Sequence, residues 1–102
     1  MAGFVKLAIL GEIPPGHAKE VEHGGRIYAL FNVDGLITAL DGICPHQGGP
    51  LAAGQVEGTC VTCPWHGWQF DVRTGQTPLN GRLRQPVFEV KVEGNDVLVW
   101  VE

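Results

Sequence analysis

"RIYALFNVDGLITAL", residues 26–40, decides the fold class. Two runs rich in apolar and β-forming side chains, Arg26–Val33 and residues 36–40, flank the pair Asp34-Gly35. Both of those residues tolerate positive φ, and a two-residue type I′ turn has the twist that paired strands need. The stretch therefore reads as a β-hairpin. Working outward, residues 4–10 are apolar with one lysine. Residues 87–92 and 97–101 flank Glu93-Gly94-Asn95-Asp96, a second hairpin signal. Val97, Val99 and Val101 alternate with Leu98, Trp100 and Glu102, so one face is apolar throughout and the other ends polar. Glycine and proline punctuate the chain at short intervals, and no segment sustains a helical period. The nearest candidate is one turn near residues 50–53. These features predict an all-β domain of short antiparallel strands, a small sandwich or partly closed barrel. A length of 102 residues fits one domain, 1–102.

Composition narrows the class of function. With 44% apolar and 18% charged residues the chain has the make-up of a soluble globule. No apolar run approaches the roughly 20 residues of a membrane helix, so no membrane partner is expected. The opening Met1-Ala2-Gly3-Phe4 lacks a basic segment followed by an apolar core, and a cytoplasmic location is expected. The net charge of −4 disfavours nucleic acid, which calls for clustered Lys and Arg. The basic residues are scattered, with Arg82 and Arg84 the tightest group. Three cysteines, Cys44, Cys60 and Cys63, are an odd number, which argues against a disulfide framework. Metal binding becomes the leading use for at least two of them.

Two phrases interrupt the β pattern: "CPHQGGPL" at 44–51 and "CPWHGW" at 63–68. They lie where Pro and Gly are densest and read as loops on a rigid β base. The spacing is C-x-H, then residues 47–62, then C-x-x-H. A tetrahedral zinc site is one reading, drawing on two Cys and two His. It can recruit Cys60 through the C-x-x-C of Cys60 and Cys63, but Cys60 sits in an alternating stretch and reads better as a packed strand residue. A two-iron cluster is the other reading. Two loops that each supply one Cys and one His can put both thiolates on one iron and both imidazoles on the other.

The loops resemble those of Rieske-type [2Fe–2S] ferredoxins, the ferredoxin components of bacterial aromatic-ring-hydroxylating dioxygenase systems. The resemblance rests on "CPHQGGPL" and "CPWHGWQFDVRTG". It extends to "ALFNVDGLITALDGICPH" before the first loop and to "PVFEVKVEGNDVLV" as the closing hairpin. It implies a small antiparallel β-sandwich with a cluster-binding subdomain formed by two loops, about 43–51 and 62–70. It further implies one [2Fe–2S] cluster, with Cys44 and Cys63 on the inner iron and His46 and His66 on the outer one. Pro86 stands where the family often has a third, proline-bearing loop, although it also suits the start of a strand. Trp65 reads either as a partner-docking aromatic or as a residue that packs the loop and shields the centre. Pro45 and Gln47 share the docking reading. Trp68 and Trp100 are expected in the β core. His17 and His23 are expected at the surface, and residues 71–75 in a turn. Gly48, Gly49 and Gly67 are expected to supply positive φ or close backbone approach.

Mixed ligation has an electrical consequence. Two ferric ions, two sulfides, two thiolates and two neutral imidazoles sum to zero charge, so an electron is taken up more readily than by an all-cysteine cluster. High-potential relatives carry two further cysteines, at places that correspond to Gly49 and Trp65, and a serine where Trp68 stands. Fewer donors to sulfur leave the reduced state less stabilised. A potential near the low end of the Rieske range, about −150 mV, is expected. The chain shows no nucleotide-binding fingerprint, flavin site or second metal set. It reads as an electron-transfer component, not an enzyme. The resemblance implies a monomeric carrier between an NAD(P)H-dependent flavoprotein reductase and a terminal oxygenase. Alternatives are a Rieske small subunit of a nitrite-reductase-type complex and a zinc-stapled interaction module.

Overall fold

The computed structural model describes residues 2–43, 49–65, 67–77 and 80–101. The described residues form strands and two single 3-10 turns, with no α-helix. The predicted hairpin is present: β3 (Arg26–Val33) and β4 (Leu36–Asp41) pair antiparallel from Tyr28↔Asp41 to Val33↔Leu36. Asp34 and Gly35 both take positive φ, 51° and 93°. Pairing on either side of this hairpin gives a four-stranded sheet, in which β2 (Ala18–His23) flanks β3 and β10 (Val87–Phe88) flanks β4. A second sheet has β12 (Asp96–Val101) between β1 (Gly3–Ile9) and β11 (Val90–Glu93).

The two sheets enclose a first core. Val97, Val99 and Val101 face Tyr28, Leu30, Ile37 and Ala39, with Ala8 and Ile13 beside them. The alternation read from residues 97–101 is the one observed, because a strand turns successive side chains to opposite faces. Trp100 is a correction. It falls on the outer face of β12, stays 37% exposed and packs edge-on against Phe4, with ring centroids 5.2 Å apart. Burying its neighbours Val99 and Val101 leaves it no other side.

A second core lies on the opposite face of the hairpin sheet. Ala29, Phe31 and Leu40 meet Leu51, Val61, Cys63, Phe70 and Val72. The last five come from the segment that carries the two loops. That segment holds β5 (Gln55–Glu57), β6 (Cys60–Thr62) and β7 (Gln69–Asp71), one antiparallel sheet. The pair β8 (Gln76–Thr77) and β9 (Asn80–Arg84) follows it. Tyr28 to Asn32 are consecutively buried because β3 is covered on both faces.

Residues 87–92, expected as one strand, are two. Val87 and Phe88 pair with Leu40 and Ala39 of the hairpin sheet, and from Val90 the chain pairs with β12 instead. The chain changes sheets at Glu89, whose carbonyl accepts the Trp100 amide at 2.9 Å. The expected single turn near residues 50–53 is a 3-10 turn at Leu51–Ala53.

Candidate metal centre

The first loop follows β4 of the hairpin sheet, and the second joins β6 to β7 in the sheet packed against it. The neck of the first is formed by Gly42 and Ile43 on one side and by Pro50 and Leu51 on the other. Ile43 and Pro50 form an antiparallel bridge, and the Leu51 amide donates to the Gly42 carbonyl at 3.0 Å. The Gly42 amide donates to the Ile27 carbonyl at 2.9 Å, and a Cβ on Gly42 would meet Ile27 Cγ2 at 2.6 Å. The Ile43 amide donates to Asp41 Oδ1 at 3.0 Å. The neck is thus tied to β3 and to its own aspartate.

The second loop spans the end of the β6–β7 hairpin. The Cys63 amide donates to the Trp68 carbonyl at 2.6 Å, one step beyond the Thr62↔Gln69 pair. Gly67 takes φ +70°, the left-handed conformation that lets so short a connection close. At the far end of β7, Asp71 opens the expected turn. Its Oδ1 accepts the Arg73 amide at 2.8 Å, and its Oδ2 pairs with Arg73 Nη2 at 3.1 Å. Hydrogen bonding from the Arg73 guanidinium holds the Asp71 carboxyl below the usual aspartate range and raises Arg73 in turn.

The described edges of the two loops meet at Cys63. Its side chain is 1% exposed. Gly49 of the first loop comes so close that a Cβ there would lie 2.9 Å from Cys63 Sγ and 2.9 Å from Trp65 Cγ. Gly49 is therefore a close-approach glycine, and its φ is not positive. Cys60 does not join Cys63. Val61 and Cys63 belong to the buried second core, whereas Cys60 is half-buried on the other side of β6. A strand cannot present both residues of this C-x-x-C to one ion without breaking its alternation.

Of the expected ligands, Cys44, His46 and His66 lie outside the described residues, as do the docking candidates Pro45 and Gln47 and the glycine Gly48. Among the described residues, no group of three or more His, Cys, Asp or Glu is placed to hold a metal ion. What is described fits a two-loop centre: a buried thiol on the second loop, touched by the backbone of the first. Trp65 is 49% exposed while Gly49 packs its root, so it both covers the loop contact and presents its ring to solvent. Pro86 is exposed and directly precedes β10, and its carbonyl accepts the Asp41 amide at 2.9 Å. Ile43 and Val87, also more than 40% exposed, extend this apolar rim around the neck. Trp68 is half-buried against the second core, 6.4 Å from Phe70 between ring centroids. His17 is exposed and His23 half-buried.

Residues 3–86 match the Rieske [2Fe-2S] domain. The chain belongs to this family. A Rieske domain binds a [2Fe–2S] cluster. The Rieske chain is 38% identical to the biphenyl dioxygenase ferredoxin subunit of Pseudomonas sp. (strain KKS102), over 94% of its own length and 90% of that protein's. It is 34% identical to the ferredoxin component of the naphthalene 1,2-dioxygenase/salicylate 5-hydroxylase systems of Ralstonia sp., over 97% and 96% of the two chains. Among solved structures it superposes with TM-score 0.86 and 28% identity on a chain in the complex of reduced oxygenase and oxidized ferredoxin of carbazole 1,9a-dioxygenase. That match covers 94% of this Rieske chain and 91% of the other. Among the described residues, no helix is long and apolar enough to cross a membrane.

Sequence reasoning missed one buried residue at the neck of the first loop. Gln85 is 2% exposed, and its side-chain amide reaches the neck of the first loop. Its sequence surroundings, Arg82 to Pro86, carry no sign of burial.

Proposed function

We propose that this chain is a single-domain, low-potential Rieske ferredoxin, 1–102. It carries one electron from an NAD(P)H-dependent flavoprotein reductase to a terminal oxygenase that hydroxylates an aromatic ring. The observation that carries this reading is the extent of the likeness. The chain spans 90% and 96% of two dioxygenase ferredoxin components, so it corresponds to the carrier as a whole. Cys44, His46, Cys63 and His66 are the proposed ligands. When bound, the cluster supplies a reversible one-electron site. The protein's own residues bury the Cys63 side, keep the loops in contact through Gly49, and surround the tip with apolar surface.

Docking follows from that surface. Trp65, with Pro86, Ile43 and Val87, presents exposed apolar area next to the centre, and aromatic side chains in such places carry much of an interface's energy. Pro45 and Gln47, from the first loop's sequence, are proposed to join it. In the Trp65→Ala variant, oxygenase reduction by the ferredoxin needs about tenfold more carrier for half-maximal rate, with the potential unchanged. Titrating the rate against carrier concentration checks this.

The central experiment is a redox titration of the purified chain followed by electron paramagnetic resonance. A Rieske signal after dithionite and a midpoint near −150 mV, roughly, are expected. A colourless zinc protein overturns the cluster, and a midpoint above about +100 mV overturns the low-potential assignment. Tight co-purification with a large reductase subunit, in place of turnover with an oxygenase, overturns the mobile-carrier role. A monomer in size-exclusion chromatography is expected.

A further inference from the structure

We propose that Gln85 is a positioning residue for the cluster, acting through the neck of the first loop. The proposal rests on the ligand reading above, which places Cys44 and His46 on that loop. Gln85 Nε2 donates to the Asp41 carbonyl at 2.7 Å and to the Ile43 carbonyl at 2.5 Å. Both amide protons are thus spent on main-chain oxygens of one short segment. The Ile43 carbonyl belongs to the peptide group that leads into Cys44, and a planar peptide held at its oxygen is held as a unit.

The rest of the neck is anchored to the same strand start. The Asp41 amide donates to the Pro86 carbonyl at 2.9 Å. The Gln85 amide donates to the Gly75 carbonyl at 2.7 Å, joining this point to the end of the Asp71 turn. Gln85 therefore stands where the first loop's neck, the segment after the second loop and the Pro86 segment meet. The two partners of its side chain are 42 and 44 residues away in sequence.

The chemistry of the side chain is specific. Leucine fills a similar volume but has no donor, and leaves two carbonyls without partners. Asparagine keeps the amide but is one methylene short of spanning both oxygens. Glutamate presents acceptors to acceptors. A residue that merely filled the core would not need two donors, and buried amides are retained where both are used.

The test uses the full chain loaded with its cluster, and the Gln85→Leu and Gln85→Asn variants. Far-UV circular dichroism and melting report the fold. The electron paramagnetic resonance spectrum, the visible circular dichroism and the rate of iron loss to a chelator report the centre. Both variants are expected to keep the strand signal. Their g-values are expected to shift or broaden, and iron loss to be about tenfold faster. Spectra and iron loss unchanged from the parent, even with a lower melting temperature, overturn the proposal, because a merely structural glutamine would move the melting alone. Failure of both variants to fold also overturns it, since Gln85 then serves the whole domain. A parent chain without a Rieske signal overturns the ligand reading itself, an outcome seen before any variant is made.

Discussion

Replacing Gly75 with alanine takes away a large share of the domain's folding stability. Gly75 has φ +75°, is buried, and stands where an added Cβ would overlap the Gln85 carbonyl oxygen and come 2.9 Å from Val87 Cγ2. The left-handed conformation alone costs a non-glycine residue about 1–2 kcal/mol. The overlap is the larger effect, because its target is backbone and cannot rotate away. Gln85 would have to shift, and with it the bond from its amide to Gly75 and the two from its side chain to the loop neck. A combined loss above about 4 kcal/mol is expected, against the roughly 5–15 kcal/mol that holds a domain folded. Gly94→Ala is the control. Gly94 also has positive φ, 61°, but an added Cβ there meets nothing within 4 Å. It should lose only about 1 kcal/mol. Thermal melting of both variants checks the contrast, and equal melting temperatures would refute the close-approach argument.

Cys63→Ser is expected to abolish the cluster, while Cys60→Ser leaves it in place. The two cysteines are three residues apart but occupy different environments. Cys63 is enclosed with Leu51, Val61, Phe70 and Val72 beneath the loop contact, and Cys60 is half-buried on the opposite side of β6. Serine at 63 withdraws a soft thiolate from a site that needs four protein ligands. It also places a hydroxyl among apolar groups, at a cost of about 1–3 kcal/mol if it finds no partner. The variant should therefore be colourless, silent in electron paramagnetic resonance and modestly less stable. Serine at 60 should change neither iron content nor spectrum. Iron and sulfide analysis of both proteins is the measurement. Equal metal loss in the two variants would restore a Cys60–Cys63 knuckle and count against the two-loop site.

What could be read from the sequence alone was whatever depends on near neighbours. Asp34-Gly35 between apolar runs specified β3 and β4, because the turn chemistry and the flanking alternation are local. The repeated Cys-His phrase pointed to the family for the same reason. Strand β2 was missed because AKEVEH is a polar edge strand, paired on one side only, whose Ala18 and Val21 turn to different cores and leave no continuous apolar face to read. The break at Glu89 was missed because nothing in residues 87–93 says which sheet each half will join. Trp100 was misplaced because its size suggested burial, while the alternation of its own strand had already assigned the inner face to Val99 and Val101. Gly49 was expected as a close-approach glycine from its loop, but Gly75 and Gln85 act through contacts with distant segments, and their meaning exists only after folding.

The double covering of β3 bears on how an electron moves through such a protein. One strand supplies Tyr28 and Leu30 to one core and Ala29 and Phe31 to the other. Cys63 and the β5–β7 sheet therefore share their packing with the hairpin strands of the base. Close packing on both faces resists displacement, and a fold whose surroundings shift little when charge arrives spends little energy on rearrangement with each electron.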